Sequence, residues 1–239
     1  MSSTKTLTDR GTMDIYAGTI TGPYHEQRGE TSQDAYWFLQ ERGFTVLAVA
    51  DGAGSLPRSG VGAEIAVNTA VNETMDDLLG GESFEEAVRS GIECARTSLT
   101  IRDDAHEIGC TLALAAYHED GGWAAGTIGD SFIVVTADRD THTLITSPKP
   151  SEFTNITHLL TTSNVQPTVE HGEDRPLMLS VASDGLAGAS TKSGAPSGAF
   201  WAKVSDYATS GEGLDVDALL EFMNAEGRIE DDTTLIIGT

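Results

Sequence analysis

The 239-residue sequence predicts an α+β fold in which antiparallel or mixed sheets pack against helices. Three observations predict it. Apolar runs of strand length come in clusters, with two long helical patterns between clusters, and not in the regular βαβα alternation of a doubly wound sheet. Several runs are nearly unbroken, the pattern of strands covered on both faces. The chain is long enough for a core without staples: 39% of its residues are apolar and only 2 are cysteine, so neither a disulfide scaffold nor secretion is indicated.

Residues 1–12 are polar and aperiodic and are expected to be flexible; a single domain is expected over 13–239, without repeats or linkers. Strands are expected at Asp14–Ile20, Tyr36–Leu39 and Phe44–Ala50. A helix is expected from about Val61 to Leu79, where Ile65, Val67, Ala70, Val71, Met75, Leu78 and Leu79 recur near helical spacing and Gly80-Gly81 stops it. Ser83, with Glu86 three residues on, has capping-box spacing and starts a second helix through Ala87, Val88, Ile92 and Ala95 to about Leu99. Strands follow at Thr111–Tyr117, Gly122–Ile128, Phe132–Thr136, Leu177–Ala182 and Thr233–Ile237, the last preceded by a helix from about Val216 to Ala225. The loosest stretches are Thr146–Arg175 and Gly185–Gly213, each a candidate lid; in the second, Trp201 beside Phe200 reads as a hydrophobic anchor. Cys94 and Cys110 fall in a helix and a strand pattern and read as core thiols.

Charge narrows the function. Lys+Arg is 14 and Asp+Glu is 37, a formal net charge of -23. Such a chain repels phosphate backbones and anionic lipid, so neither nucleic acid nor membrane is an expected partner. No leader-like or bilayer-spanning apolar run stands in the sequence, and a cytoplasmic monomer is expected. Only four of the cations are lysines, Lys5, Lys149, Lys192 and Lys203. A salt-rich cytoplasm and ordinary solubilising charge account for this surface equally well.

The aspartates fall at the ends of core strands. The run Thr45–Ala50 leads into Asp51-Gly52, Leu177–Ala182 into Asp184-Gly185, and Ala124–Ile128 into Gly129-Asp130. Asp231-Asp232 precede the final strand and Asp34 precedes Tyr36-Trp37-Phe38. Turn chemistry alone would explain any one Asp-Gly pair. Yet Asp51 is followed by Ala53-Gly54-Ser55 and a helix, and Asp184 by a long loop, so neither sits in a hairpin. If these carboxylates converge they must be neutralised, since two of them ~4 Å apart repel by about 4 kcal/mol at an effective dielectric of 20. With oxygen ligands and no Cys/His cluster, the fitting cations are hard ones, Mg²⁺ or Mn²⁺. A pair of them would activate water and grip a phosphoryl group.

The ordered set Gln33-Asp34, Ala50-Asp51-Gly52-Ala53-Gly54, Gly109-Cys110-Thr111-Leu112, Ile128-Gly129-Asp130-Ser131, Ala182-Ser183-Asp184-Gly185 and Asp231-Asp232-Thr233-Thr234-Leu235 resembles the metal-dependent protein serine/threonine phosphatases of type 2C. The spacing His25…Gly29…Gln33-Asp34 and the segment Glu152-Phe153-Thr154-Asn155-Ile156-Thr157 are similar to the compact bacterial and archaeal branch. The resemblance implies a four-layer α-β-β-α sandwich of two mainly antiparallel sheets flanked by helices. It implies a dinuclear Mg²⁺ or Mn²⁺ site, with a third, weaker ion at Asp130. Asp51 would bridge both metals and the Gly52 carbonyl would bind the second. Asp184 and Asp231 would complete the first. Asp34 would stand behind the ligands and hold metal-bound waters. The substrate would be a phosphoserine or phosphothreonine protein with a cognate kinase.

This sequence departs from the family pattern in places. The family's phosphate-binding arginine lies shortly before Gln-Asp; here Arg28 is six residues before Asp34, where bacterial spacing prefers five. Ala53 stands where eukaryotic members supply a histidine acid, and Phe132 follows Gly-Asp-Ser where arginine is common. His25 could assist phosphate binding or protonate the leaving group, or serve as a structural hydrogen-bond partner. Two rival readings remain: a catalytically weak or inactive regulatory domain of this fold, and a metallohydrolase of a small phosphorylated metabolite.

Overall fold

The computed structural model describes residues 14–146 and 157–239. The expected flexible N-terminus and all but Thr157 of the segment 152–157 lie outside the described residues. In chain order the elements are β1 (Ile15–Ile20), α1 (Pro23–Arg28), β2 (Ala35–Glu41), β3 (Phe44–Ala50), α2 (Ser59–Gly80) and α3 (Phe84–Thr100). Then come β4 (Leu112–His118), β5 (Trp123–Ile128), β6 (Phe132–Asp138), β7 (Thr141–Ile145), β8 (Thr168–Gly172) and β9 (Met178–Ala182). A 3-10 turn at Asp184–Leu186 leads into α4 (Ala187–Ser190), the small hairpin β10 (Thr191–Lys192) and β11 (Ala195–Pro196), α5 (Gly198–Thr209), α6 (Val216–Ala225) and β12 (Thr233–Gly238).

Two five-stranded sheets form, with strand orders β1-β12-β9-β6-β7 and β2-β3-β4-β5-β8. All their pairings are antiparallel. The period-two geometry of a strand explains the unbroken apolar runs. In β3, Val46, Ala48 and Ala50 join the cluster under the helices α2 and α3, while Leu47 and Val49 face the other sheet. In β4, Leu112, Leu114 and Ala116 take the helix side, and Ala113, Ala115 and Tyr117 the sheet–sheet side. The second sheet divides likewise: Leu235 and Ile237 of β12 pack toward α5 and α6, and Ile236 faces inward with Leu179 and Val181 of β9. Three cores thus separate four layers, the α-β-β-α order expected.

The helices follow their local signals. α2 buries Gly62, Ala63, Ala66, Val67, Ala70, Val71, Thr74, Met75 and Leu78 along one side, and its cap Gly81 donates to Asp77 O and Leu78 O. Ser83 caps α3: its hydroxyl accepts from Glu86 N at 3.3 Å and donates to the Glu86 carboxylate at 2.7 Å. Asp215 caps α6 by accepting from Ala218 N at 3.0 Å. The stretches read as loose contain β8 and α5, and Trp201 is the anchor expected there, fully buried with its indole N–H donating to Ser190 O at 2.9 Å. No helix among the described residues is long and apolar enough to cross a membrane.

Trp201→Ala should therefore cost roughly 3–5 kcal/mol, because it empties the site of the largest fully buried side chain under α5. Urea unfolding should show a lower midpoint; a midpoint equal to wild type would show that α5 contributes little to the core.

Candidate metal centre at the ends of the core strands

The strand ends deliver their aspartates to one place. A cavity of ≈ 150 Å³ is lined by Asp51, Asp130, Asp184, Asp231 and Asp232, together with Gly52, Thr111, Thr157 and His25. Asp51, Asp130 and Asp184 each bring a carboxylate oxygen, and these atoms lie within 4.8 Å of one another. His25, Asp231 and Asp232 form a second such set. Asp130 thus stands in the set made of carboxylates alone, and Asp231 lines the same cavity from beside His25.

Backbone and hydroxyl ties hold these positions. Asp51 N donates to Thr111 Oγ1 at 3.0 Å, and Thr111 N donates to Asp51 O at 2.8 Å. The Thr111 and Ser131 hydroxyls lie 2.6 Å apart, so one hydroxyl of each of two motifs clamps Asp51 beside Asp130. Thr157 donates to Asp130 Oδ2. Gly129, just before Asp130, has φ +97, and a Cβ there would meet Thr111 Cγ2 at 2.6 Å, so only glycine turns the chain at this point. Ser183 and Thr234 join β9 to β12 through Ser183 N to Thr234 O at 3.1 Å and Thr234 N to Ser183 Oγ at 2.9 Å.

Asp231 and Asp232, adjacent in sequence, separate in space. Asp231 is exposed to the cavity mouth, whereas Asp232 is buried. Asp232 accepts from Gly22 N through Oδ1 and from Gln33 N through Oδ2, both at 2.7 Å. His25 Nδ1 approaches Asp232 Oδ2 at 2.9 Å, at an angle that leaves this buried nitrogen without a well-formed hydrogen bond. One carboxylate therefore clasps the start of α1 and the chain before β2 to the start of β12. The approach is close enough that a Cβ at Gly22 would lie 2.3 Å from Asp231 C. Sequence reasoning passed over Asp232, Thr111 and Ser131 as functional supports, although all three stand inside the quoted motifs.

Arg28 takes a different place. It lines a wide neighbouring groove with Asp34, is half exposed, donates to Glu30 at 3.0 Å and to the Tyr24 hydroxyl at 3.2 Å, and lies over the Tyr24 ring.

The electrostatics are those of crowded acids. Burial pushes the Asp34 carboxyl up to about 7, with Asp232 and Asp184 adding to the rise and the Ser183 and Thr234 hydroxyls opposing it. Neither oxygen of Asp34 has a hydrogen bond of good geometry despite those neighbours. Burial raises Asp51 well above the ordinary carboxylate range, and Asp34, Asp184, Asp130 and Asp231 each add to the effect. Cys110, buried beside Asp51, is likewise raised and stays a neutral thiol. A donor set of carboxylates and carbonyls, short of positive charge and with orphaned buried oxygens, fits hard divalent cations.

The description Protein phosphatase 2C matches residues 21–223, which include Asp34, Asp51, Asp130 and Asp184 but not Asp231, Asp232 or β12. This chain belongs to the protein phosphatase 2C family. It is 29% identical over 163 residues to serine/threonine-protein phosphatase 3 of Escherichia coli strain K12, a match covering 62% of this chain and 62% of that protein. Its fold resembles a C. elegans sex determining protein, with TM-score 0.70 at 15% identity over 97% of this chain and 65% of that one. It also resembles RsbX, solved in complex with magnesium, with TM-score 0.60 at 14% identity over 98% of both chains. The chain spans less than two thirds of the first two of these relatives.

The crowding predicts a pH dependence for metal-free protein. The folded state keeps a proton on Asp34 up to about 7, whereas the unfolded chain releases it near 3.8. That stability is present below pH ~4 and is lost as pH rises to ~7, by up to about 4 kcal/mol for Asp34. In EDTA-treated samples Asp34→Asn should flatten this fall; a slope equal to that of wild type would remove Asp34 as its source.

Proposed function

We propose that this protein is a metal-dependent phosphoserine/phosphothreonine protein phosphatase. The observation that carries the reading is the convergence of Asp51, Asp130 and Asp184 within 4.8 Å, in a cavity that Asp231 also lines, in a chain of this family. Two Mg²⁺ or Mn²⁺ ions bound there would offset charge on the phosphoryl oxygens and make water nucleophilic near neutral pH. In this reading Asp51 would serve both ions, the Gly52 carbonyl would bind the second, and Asp184 and Asp231 would complete the protein ligands of the first. Asp130, in contact with Thr157, holds a third ion more weakly.

The chain's own groups do the rest. Asp34, protonated up to about 7 without cations, ionises when they are near and accepts hydrogen bonds from water at its otherwise orphaned oxygens. Asp232, held by Gly22 N and Gln33 N, stands beside Asp231 and His25 at the cavity wall. His25 is the group there that can give a proton to a departing serine or threonine oxygen. No cysteine or serine nucleophile is required, in keeping with the neutral, buried Cys110. The physiological partners are then phosphorylated proteins and the kinase that modifies them. Residues 13–239 act as one phosphatase domain.

Two outcomes test the reading. Mn²⁺ at a hundredfold excess over its dissociation constant should stabilise the fold by about 2.7 kcal/mol relative to EDTA, since it binds only the folded state. A melting temperature identical in both conditions would dispose of the metal centre. With Mn²⁺ and a chromogenic phosphate ester, Asp51→Asn should lower kcat roughly a thousandfold, the loss of several kcal/mol of charge stabilisation. Asp130→Asn should lower it only about tenfold. Equal losses would overturn the division of roles. Hydrolysis of small phosphate esters without any of phosphopeptides would instead favour a metabolite as substrate.

A further inference from the structure

Three arginines border the open grooves on either side of the carboxylate cavity. Arg28 is occupied by Glu30 and Tyr24. Arg58 is occupied by Asp104, with Glu107 at 3.8 Å. Both line the same groove, on the α2 side. Arg228 lies on the other side, in a groove of ≈ 780 Å³ that shares Asp184 and Asp231 with the cavity. Its guanidinium makes no ion pair or side-chain hydrogen bond among the described residues, although Glu230 and Asp231 stand close by in sequence.

The groove around Arg228 is open. Gly188, Ala189 and Gly227 line it, and a Cβ built on Gly188 or Gly227 would meet no atom within 4 Å. Gly227, at φ +67, follows α6 and turns the chain so that Arg228 enters the groove wall. In a chain with 14 cations against 37 acids, Arg228 is thus an exposed guanidinium, unpaired among the described residues, in a groove that also contains Asp184 and Asp231. A guanidinium is always charged, weakly hydrated and forked, the geometry that matches two oxygens of a phosphoryl group.

We propose that Arg228, and not Arg28, is the side chain that grips the phosphoryl group of the substrate, with the Gly188–Ala189 and Gly227 strip leaving room for the chain that carries it. The inference rests on the phosphatase reading for its substrate but not for its binding test. Arg228 approaches from the Asp184–Asp231 side, so its contact adds to whatever the cations hold and does not compete with Glu30 for a partner.

The test uses the full chain with Mn²⁺, and compares wild type with Arg228→Ala, Arg228→Lys and Arg28→Ala. KM and kcat are measured on a phosphothreonine peptide, and inorganic phosphate binding is measured separately by calorimetry. Arg228→Ala should raise KM and weaken phosphate binding roughly tenfold, the loss of a charged hydrogen-bonded contact. Its kcat should fall much less, and its Mn²⁺ affinity and melting temperature should stay at wild-type values. Arg228→Lys should recover only part of the affinity, because an ammonium cannot fork. Arg28→Ala should leave phosphate binding unchanged. Unaltered KM and phosphate affinity in Arg228→Ala would overturn the proposal, as would the same loss appearing in Arg28→Ala instead. If wild type hydrolyses no phosphopeptide, the phosphatase reading fails while the calorimetry still decides Arg228: weaker phosphate binding in Arg228→Ala supports it, and equal binding sinks it.

Discussion

Mutual repulsion among aspartates is the constraint on which the rest of the molecule depends. Asp51, Asp130 and Asp184 are held within 4.8 Å, and Asp34 and Asp51 keep their protons far above the usual carboxylate range. A flexible scaffold would let such groups drift apart into water. Here Asp51, Asp130 and Asp184 follow the buried strands β3, β5 and β9, between a helix layer and the opposing sheet, while Asp34 precedes the half-buried edge strand β2. The close-packed sandwich supplies the rigidity, and the hydroxyls of Thr111 and Ser131 lock two motifs together between Asp51 and Asp130. Much of the large core serves to hold a few like charges where they would not stay on their own.

The support is asymmetric. On the β3–β4 side the aspartates are tied by short links between neighbouring strands of one sheet. On the β12 side the tie crosses the molecule: Asp232 gathers Gly22, Gln33 and His25 from the segment between β1 and β2. Asp231 and Asp232 divide the labour of a single dipeptide. One faces the cavity, while its neighbour turns inward and is satisfied by backbone donors. The division is made just before β12 begins, where Asp232 accepts from Gly22 N and Gln33 N and its own N–H donates to Asp231 Oδ1 at 2.8 Å.

Much of this was legible in the sequence. The spans of β3, β6 and α6 began where the apolar runs began, and the capping pair Ser83 and Glu86 marked α3. The aspartates at strand ends stood out because Asp51 is followed by a helix and Asp184 by a long loop, and not by a hairpin's return strand. What was hidden had physical causes. β8 is an edge strand, Thr168–Gly172, with little apolar content to announce it. α5 carries Trp201, Val204 and Ala208 at helical spacing, but the Gly- and Ser-rich chain around it masked the period. α1 is only six residues long, opened by Pro23 and closed by Gly29. Spacing singled out Arg28, yet Glu30, two residues away, takes its guanidinium, and no pattern in sequence reports such local capture. Arg228 offered no motif at all; only the groove shared with Asp184 and Asp231 gives it meaning.

The position of β12 carries a consequence for how the protein is made. This strand follows every other described element in the chain, yet it sits between β1 and β9, with Leu235 opposite both Gly18 and Ala182. Without β12 its sheet has a slot between β1 and β9, and the cavity lacks Asp231 and Asp232, which immediately precede the strand. Until the last strand slides into that slot, β1 has no partner and the segment before β2 has no clasp. The nascent protein therefore cannot assemble its acidic cavity piecemeal. β12 thus joins β1 to the rest of its sheet and brings Asp231 and Asp232 to the cavity together.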